Sequence, residues 1–256
     1  MVDGRAGEAP ATRVLDADPD LRGSLSGQRL EQARLRLTAR IRHTPAGPWC
    51  GPRDADVLPF GLLVLDGVMA RELLMEDNVS AELIGAGDVI RPAGGDSPSR
   101  LLRAEVRWTV LEPARLAVLG RGFAIAAAPY PEVNAALLDR VTMRAHRLAL
   151  TQAITQLNGV DRRVLSLFWL LAERWGRVTN DGVVVPLALP HRVVAHLVGA
   201  RRPTVSTAIG QLVADGRLTR RPNGTWVLRG DPVGTPTEAT ARVVRLRRRT
   251  AQLVAD

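Results

Sequence analysis

Residues 191–212, HRVVAHLVGARRPTVSTAIGQL, bring arginines and short hydroxyl side chains together at helical spacing. Arg201, Arg202, Thr204, Ser206 and Thr207, with Gln211 a turn further on, lie among the apolar positions Val205, Ile209 and Leu212, which recur at i, i+4 and i+7. The apolar set predicts the buried face of a helix and the polar set its outward face. Guanidinium, hydroxyl and amide groups displayed in this way have the chemistry that reads base edges and phosphates. Upstream, Val193, Val194 and Leu197 predict a first helix, with Ala195 small enough for a second helix to cross closely. Gly199, four residues after that alanine, suits a sharp turn that needs positive φ. Pro203 falls in the first turn of the second helix, where its missing N–H costs nothing. An ordinary helical hairpin shares this pattern, so the surroundings have to decide between the two.

Those surroundings predict a wing. Arg217–Arg221 reads as a short strand, Pro222-Asn223-Gly224 as a turn and Thr225–Leu228 as a second strand, with Asn-Gly as the favoured tight hairpin pair. Arg220, Arg221 and Asn223 would then face flanking phosphates while Trp226 and Leu228 pack inward. The other reading is a plain hairpin that only packs on the helices. Further upstream, Asp161 is placed to cap a helix from Arg162 to about Trp175, with Val164, Leu165, Phe168, Leu171 and Ala172 as its apolar stripe. Arg177–Thr179, Asn180-Asp181-Gly182 and Val183–Leu187 then predict a hairpin. Helix, hairpin, helix, second helix, hairpin is a winged-helix order.

Charge supports this. The chain is formally +9 and its basic side chains are all arginine. Residues 157–256 hold 16 arginines against 7 acids, whereas residues 1–156 hold 19 of each. The whole excess therefore lies with the helical pair, as expected for a phosphate-backbone partner. The all-arginine usage, with few Phe, Tyr, Ile and Asn, suggests a GC-rich genome, which does not account for the asymmetry between the halves.

With these residues in view, roughly 158–230 resembles the C-terminal domain of the Crp/Fnr family of bacterial transcription regulators. The resemblance is most specific over VVAHLVGARRPTVSTAIGQLVADGRL, through Ala195, Val198-Gly199, Arg202, Thr204-Val205 and Asp215-Gly216. It implies that Arg202 contacts guanine. The best-known members have Glu after that arginine. Here Pro203 follows, so their base preference does not carry over. The N-terminal half is similar to the family's sensor more loosely. Residues 21–43 predict a helix leading into a strand. Gly61–Asp66 with Gly67, Val68–Leu74, Ser80–Ile84 and the turn Gly85-Ala86-Gly87-Asp88 predict strand–turn–strand units. Gly67 resembles the family's hairpin glycine, Gly85–Ile90 (GAGDVI) its Gly-x-Gly-Asp segment, and Leu111–Leu119 (LEPARLAVL) the strand before its dimer helix. Short strands with glycine turns predict a β-roll or jelly roll.

The resemblance breaks at the ligand cassette. A cyclic-nucleotide site of this family needs a Gly-Glu pair for the ribose, then Arg with Ser/Thr-Ala for the cyclic phosphate. This chain has Ile90-Arg91-Pro92-Ala93-Gly94-Gly95-Asp96, then Ser99-Arg100-Leu101-Leu102-Arg103-Ala104. Arg100 and Arg103 remain as candidate anion contacts, with solvated surface arginines as the other reading, and cyclic AMP is not the expected effector. The single cysteine, Cys50, excludes an iron–sulfur sensor and a structural disulfide. His43 and His146 leave haem as a lesser alternative, and no other cofactor or metal is expected.

Between the halves, Pro131–Leu157 predicts one long helix. Leu138, Val141, Ala145 and Leu148 recur at three and four residues as a short dimer seam, with packing on the chain's own sensor as the alternative. Asn158-Gly159 would be the hinge. The absence of a P-loop, G-x-S-x-G, HExxH or Cys/His cluster reads against an enzyme, and the paired acids Glu76-Asp77 read as solvated residues of a hairpin turn. No apolar run reaches about 18 residues, and no signal peptide is apparent, so a cytoplasmic protein is expected.

The expected fold is α+β. Residues 1–20 form a disordered N-terminus, 21–130 a cyclic-nucleotide-binding-like β-roll, 131–157 the dimerisation helix, 158–230 a winged helix–turn–helix and 231–256 a basic extension. Within that extension Ala239–Ala255 reads as helical. The expected partners are double-stranded DNA, a second copy of the chain, RNA polymerase and an unidentified small-molecule effector. The alternative function is an effector-independent DNA-binding or architectural protein whose N-terminal domain only dimerises or contacts another protein.

Overall fold

The computed structural model describes residues 11–51, 59–92 and 101–232. The chain divides into two compact units, Met1–Ala149 and Leu150–Asp256. Among the described residues no helix is long and apolar enough to cross a membrane.

The first unit is built on a seven-stranded antiparallel sheet. Its strands are β1 (Ala11–Arg13), β2 (Thr38–Thr44), β3 (Gly47–Trp49), β4 (Gly61–Met75), β5 (Asn78–Gly85), β6 (Val89–Ile90) and β7 (Glu105–Leu119). The order is β1-β2-β7-β4-β5, with β3 on β7 and β6 on β4. β4 and β7, fifteen residues each, pair along their length. Alternation sends successive side chains of β4 to opposite faces. Leu62 and Val64 join a core with Met69, Ile84, Trp108 and Leu116. Leu63 joins a second core with Leu15, Leu37, Phe123, Tyr130 and Val133. This second core is closed by α1 (Val14–Ala17), α2 (Gly27–Arg36), α3 (Arg121–Ala127) and the start of α4 (Pro131–Thr155).

Two expectations are corrected here. Gly67 does not turn the chain. It sits in a bulge within β4, where the β4–β7 register shifts between Val64 and Met69. Its φ is +89°, and a Cβ would lie 2.4 Å from the Pro113 carbonyl oxygen. The bulge bends one long strand where the sequence reads as two. The hairpin turn lies at Glu76-Asp77, as the sequence reading of that pair expects, with Met75 opposite Asn78. Nor are residues 11–20 disordered. β1 pairs with β2, and Val14 and Leu15 are fully buried. Residues 1–10 lie outside the described part.

The second unit contains α5 (Val160–Trp175), β8 (Arg177–Thr179), β9 (Gly182–Val185), α6 (His191–Val198), α7 (Arg202–Ala214), β10 (Leu218–Arg220) and β11 (Trp226–Leu228). Its sheet runs β10-β11-β9-β8. The predicted stripe of α5 is buried, and Phe168 meets Trp226 at 5.1 Å between ring centroids. Asp161 does not cap α5. The helix begins at Val160 behind Gly159, without a side-chain cap, and Asp161 lies in the first turn, where its charge still suits the helix dipole. The α+β class and the antiparallel sheet, helix and winged-helix order agree with the sequence reading. Of the basic extension, residues 233–256 lie outside the described part.

Candidate nucleic-acid interface and sensor cavity

The helix pair forms for local reasons. The apolar face of α6 buries Val193, Val194 and Leu197, and Ala195 is 2 % exposed where α7 crosses. Gly199 ends α6 in the left-handed region, φ 61° and ψ 47°. The Ala200 N–H then donates to the Ala195 carbonyl at 3.0 Å. Arg163 of α5 ties this turn down, donating to the carbonyls of Leu157 (2.7 Å) and Gly199 (3.4 Å). Val205, Ala208, Ile209 and Leu212 of α7 are buried, and Pro203 is its second residue.

The outward groups fall where the spacing places them, with one exception. Arg201, Arg202, Thr204, Thr207 and Gln211 are exposed. Among the described residues neither Arg201 nor Arg202 has an ion-pair partner. Thr207 Oγ1 donates to the Pro203 carbonyl, and Gln211 Nε2 donates to Asp215 at 2.8 Å. Ser206 is the exception. It is half-buried, 3.0 Å from His191 Nδ1 at the start of α6.

The wing forms where the sequence places it, with Leu218–Arg220 paired to Trp226–Leu228 across Pro222-Asn223-Gly224. Pro222 and Asn223 occupy the centre of a turn closed by Gly224 N–H to the Arg221 carbonyl, and Arg221 N–H bonds the Thr225 carbonyl. Gly224 follows at φ +83°. This is the three-residue loop expected between the two strands, with a bulge, and only the tight Asn-Gly pair is corrected, because Pro222 and Asn223 hold the central positions. The Asn223 side-chain oxygen is taken by Thr225, through its N–H and its hydroxyl. Arg220 is exposed, with its guanidinium 5.5 Å from the Trp226 ring centre. Arg221 pairs with Asp181 at 3.5 Å.

His191 is a residue the sequence reading missed. It lies beside Trp226, 6.3 Å between ring centres, and bonds Ser206. Burial holds its imidazole below the ordinary value, and Arg220 and Arg202 add to that shift. The first turns of α6 and α7 and the wing thus meet around His191, on which Arg202 and Arg220 both act. Its sequence signal was a histidine opening the first helix, fifteen residues before a serine on the second.

In the first unit, α4 is anchored by three arginines. Arg140 pairs with Asp18 and Asp20, Arg144 with Glu82, and Arg147 with Asp88. The seam residues Leu138 and Val141 are 65 % and 48 % exposed, and Ala145 and Leu148 are exposed too. Beside them lies an open cavity of about 470 Å³. Arg71, Arg91, Arg144 and Trp108 line it, with apolar walls that include Leu138 and Val141. Arg103 is exposed and is not among its lining residues, and Arg100 lies outside the described part. The cavity arginines therefore differ from those the cassette comparison suggested. His43 on β2 and His146 on α4 are both exposed.

Against known proteins, residues 162–230 match the Crp-like helix-turn-helix domain family. The C-terminal unit carries a Crp-like helix–turn–helix domain. The Porphyra purpurea protein ycf28, which bears the name of an HTH-type transcriptional regulator, is 25 % identical over 84 residues. That match spans 33 % of this chain and only 35 % of the relative. A CooA variant from Carboxydothermus hydrogenoformans superposes with a TM-score of 0.58 at 15 % identity, covering 86 % of this chain and 92 % of that one. CLP of Xanthomonas campestris, a c-di-GMP-responsive global regulator, gives 0.55 at 20 % identity, covering 79 % and 98 %. The chain thus joins a region that matches the Crp-like helix-turn-helix domain family to a fold shared with CooA and CLP.

Proposed function

We propose that the chain is a DNA-binding transcription regulator of the Crp/Fnr type. It acts in the cytoplasm as a homodimer on palindromic operators, responds to a small-molecule effector other than cyclic AMP, and carries out no catalysis. One observation carries the reading. Within a region matching a Crp-like helix–turn–helix domain, Arg201 and Arg202 stand at the start of the second helix with no ion-pair partner among the described residues, and Arg202 and the wing's Arg220 both act on His191. An unpaired cationic rim on a helix N-terminus is suited to phosphates and base edges. The dimer reading rests on the exposed apolar stripe Leu138, Val141, Ala145 and Leu148. Twofold symmetry would then set recognition helices in successive major grooves about 34 Å apart. The cavity favours an effector-responsive protein over the purely architectural alternative. RNA polymerase remains the natural partner of an operator-bound dimer.

The test is selection of bound DNA from a random pool with the full chain. A palindromic consensus bound with a Kd on the order of 10⁻⁸ M or tighter is expected. A pool without enrichment, bound only with the salt dependence of a polycation, would overturn the reading.

A further inference from the structure

The cavity beside α4 carries a specific electrostatic demand. Arg71 and Arg144 both pair with Glu82, which is itself buried. One acid therefore balances two arginines. Arg91, on the same wall, has no ion-pair partner among the described residues. Two positive charges are left in excess, and among the described residues no acidic side chain lines the space.

Its hydrogen-bonding groups are incomplete as well. Trp108 is 7 % exposed, and its indole N–H is buried without an acceptor. Asn134, also on the wall, donates to the Ala127 carbonyl, while its own side-chain oxygen has no donor. Buried polar groups in folded proteins are nearly always paired, so both atoms point to a missing partner. The remaining lining residues are apolar, and the rings of Phe60 and Trp108 are among the lining. Trp108 is braced edge-on by Trp49 at 5.6 Å, and Phe60, Leu138 and Val141 complete the walls.

Resting on the reading above, we propose that this cavity binds a small, flat organic acid. Its carboxylate is taken by Arg91 and the excess charge of the Arg71–Arg144 pair, in the planar fork geometry that guanidinium groups favour. Its ring lies on the apolar wall. An acceptor on the ligand takes the Trp108 N–H, and a donor reaches Asn134. A volume of about 470 Å³ suits one small molecule. A cyclic nucleotide suits it less well, because Glu82 is held by two arginines and no lining carboxylate is free for a ribose hydroxyl.

Calorimetric titration of the full chain tests this with indole-3-acetate, its neutral amide, benzoate and cyclic AMP. Indole-3-acetate should bind saturably and at least tenfold more tightly than the amide. Benzoate, which lacks the donor for Asn134, should fall between. Arg91→Gln should weaken the acid at least tenfold while leaving amide binding and the ligand-free melting temperature unchanged. Trp108→Phe should weaken both ligands. Equal binding of acid and amide, tightest binding by cyclic AMP, or no saturable binding of either acid to folded protein would overturn the proposal. DNA selection on the same preparation separates this failure from that of the regulator reading.

Discussion

Replacing Arg202 with alanine separates sequence reading from simple attraction. Arg202 is the first residue of α7, exposed, and without an ion pair among the described residues. Its removal breaks no folded-state contact of that kind, so the loss should appear in DNA binding and leave stability nearly unchanged. A good bidentate contact to a base is worth about 1–3 kcal/mol. At about 1.4 kcal/mol per tenfold, that is a loss of roughly 5- to 150-fold per half-site, doubled in free energy across a symmetric dimer. Arg220, on the wing, is assigned a phosphate. Its removal should weaken all sequences alike and flatten the log K against log salt slope by about 0.9 per protomer. Arg221 is already held by Asp181, an exposed pair worth about 1 kcal/mol or less, so phosphate gains less from it and Arg221→Ala should cost less than Arg220→Ala. Fluorescence anisotropy on the selected operator and a scrambled duplex, at several salt concentrations, reads all three. If Arg202→Ala weakens both duplexes equally and flattens the salt slope, Arg202 touches phosphate and the assigned base contact is wrong.

Three other outcomes are expected. Gly67→Ala places a Cβ 2.4 Å from a backbone oxygen at positive φ, so the first unit should lose about 2 kcal/mol or more by chemical denaturation, and a loss below about 0.5 kcal/mol would refute the bulge. Leu138→Glu with Val141→Glu should yield a folded monomer by light scattering, and an unchanged dimer would place the interface elsewhere. His191 has its imidazole held down by burial, Arg220 and Arg202, so the fold is most stable above the ordinary histidine value near 6.5 and loses stability as pH falls through the lowered value. A phosphate seated between those arginines favours the charged ring, so DNA affinity should rise as pH falls over that range. His191→Gln should flatten the profile, and an unchanged pH profile would remove His191 from the interface.

What was legible in the sequence was what short-range rules govern. The α6–turn–α7 pair follows from local periodicity and one left-handed glycine, and the spacing located both. The wing's Pro222-Asn223-Gly224 turn was legible as well, but Asn-Gly was misread as its central pair. Pro222, with φ preset for the first central position, instead draws the turn one residue earlier and leaves Gly224 for the bulge. Gly67 was misread for a longer-range reason. A turn and a bulge both ask for glycine, and only the opposing Pro113 on β7 distinguishes them. The N-terminal segment looked polar because its anchors, Val14, Leu15 and Leu21, are few and lie among charged residues. The cavity was out of reach altogether. Arg71, Arg91, Trp108 and Arg144 come from distant points of the chain, and no local spacing relates them.

The geometry of α4 would let one helix serve the core of the first unit, the proposed ligand and the proposed partner. At about 100° per residue, Val133, Leu137, Arg140, Arg144 and Arg147 fall on one stripe, which holds the buried contacts and the ion pairs to the rest of the first unit. Leu138, Val141, Ala145 and Leu148 fall on a second stripe about 100° around the cylinder. The cavity lies along the border, since Leu137 and Arg144 come from the first stripe and Leu138 and Val141 from the second. A second chain packed on the proposed seam would therefore cover part of the cavity mouth. A ligand there would touch the surface that the partner also needs. Occupancy and dimer packing should then be coupled through Leu138 and Val141. Leu138→Ala, which shortens the side chain on both surfaces, should weaken dimerisation and ligand binding together. Leu148→Ala, on the seam but outside the cavity wall, should weaken dimerisation while leaving the monomer's intrinsic ligand affinity unchanged. Sedimentation with and without indole-3-acetate distinguishes the two, and identical behaviour of both variants would disconnect the cavity from the seam.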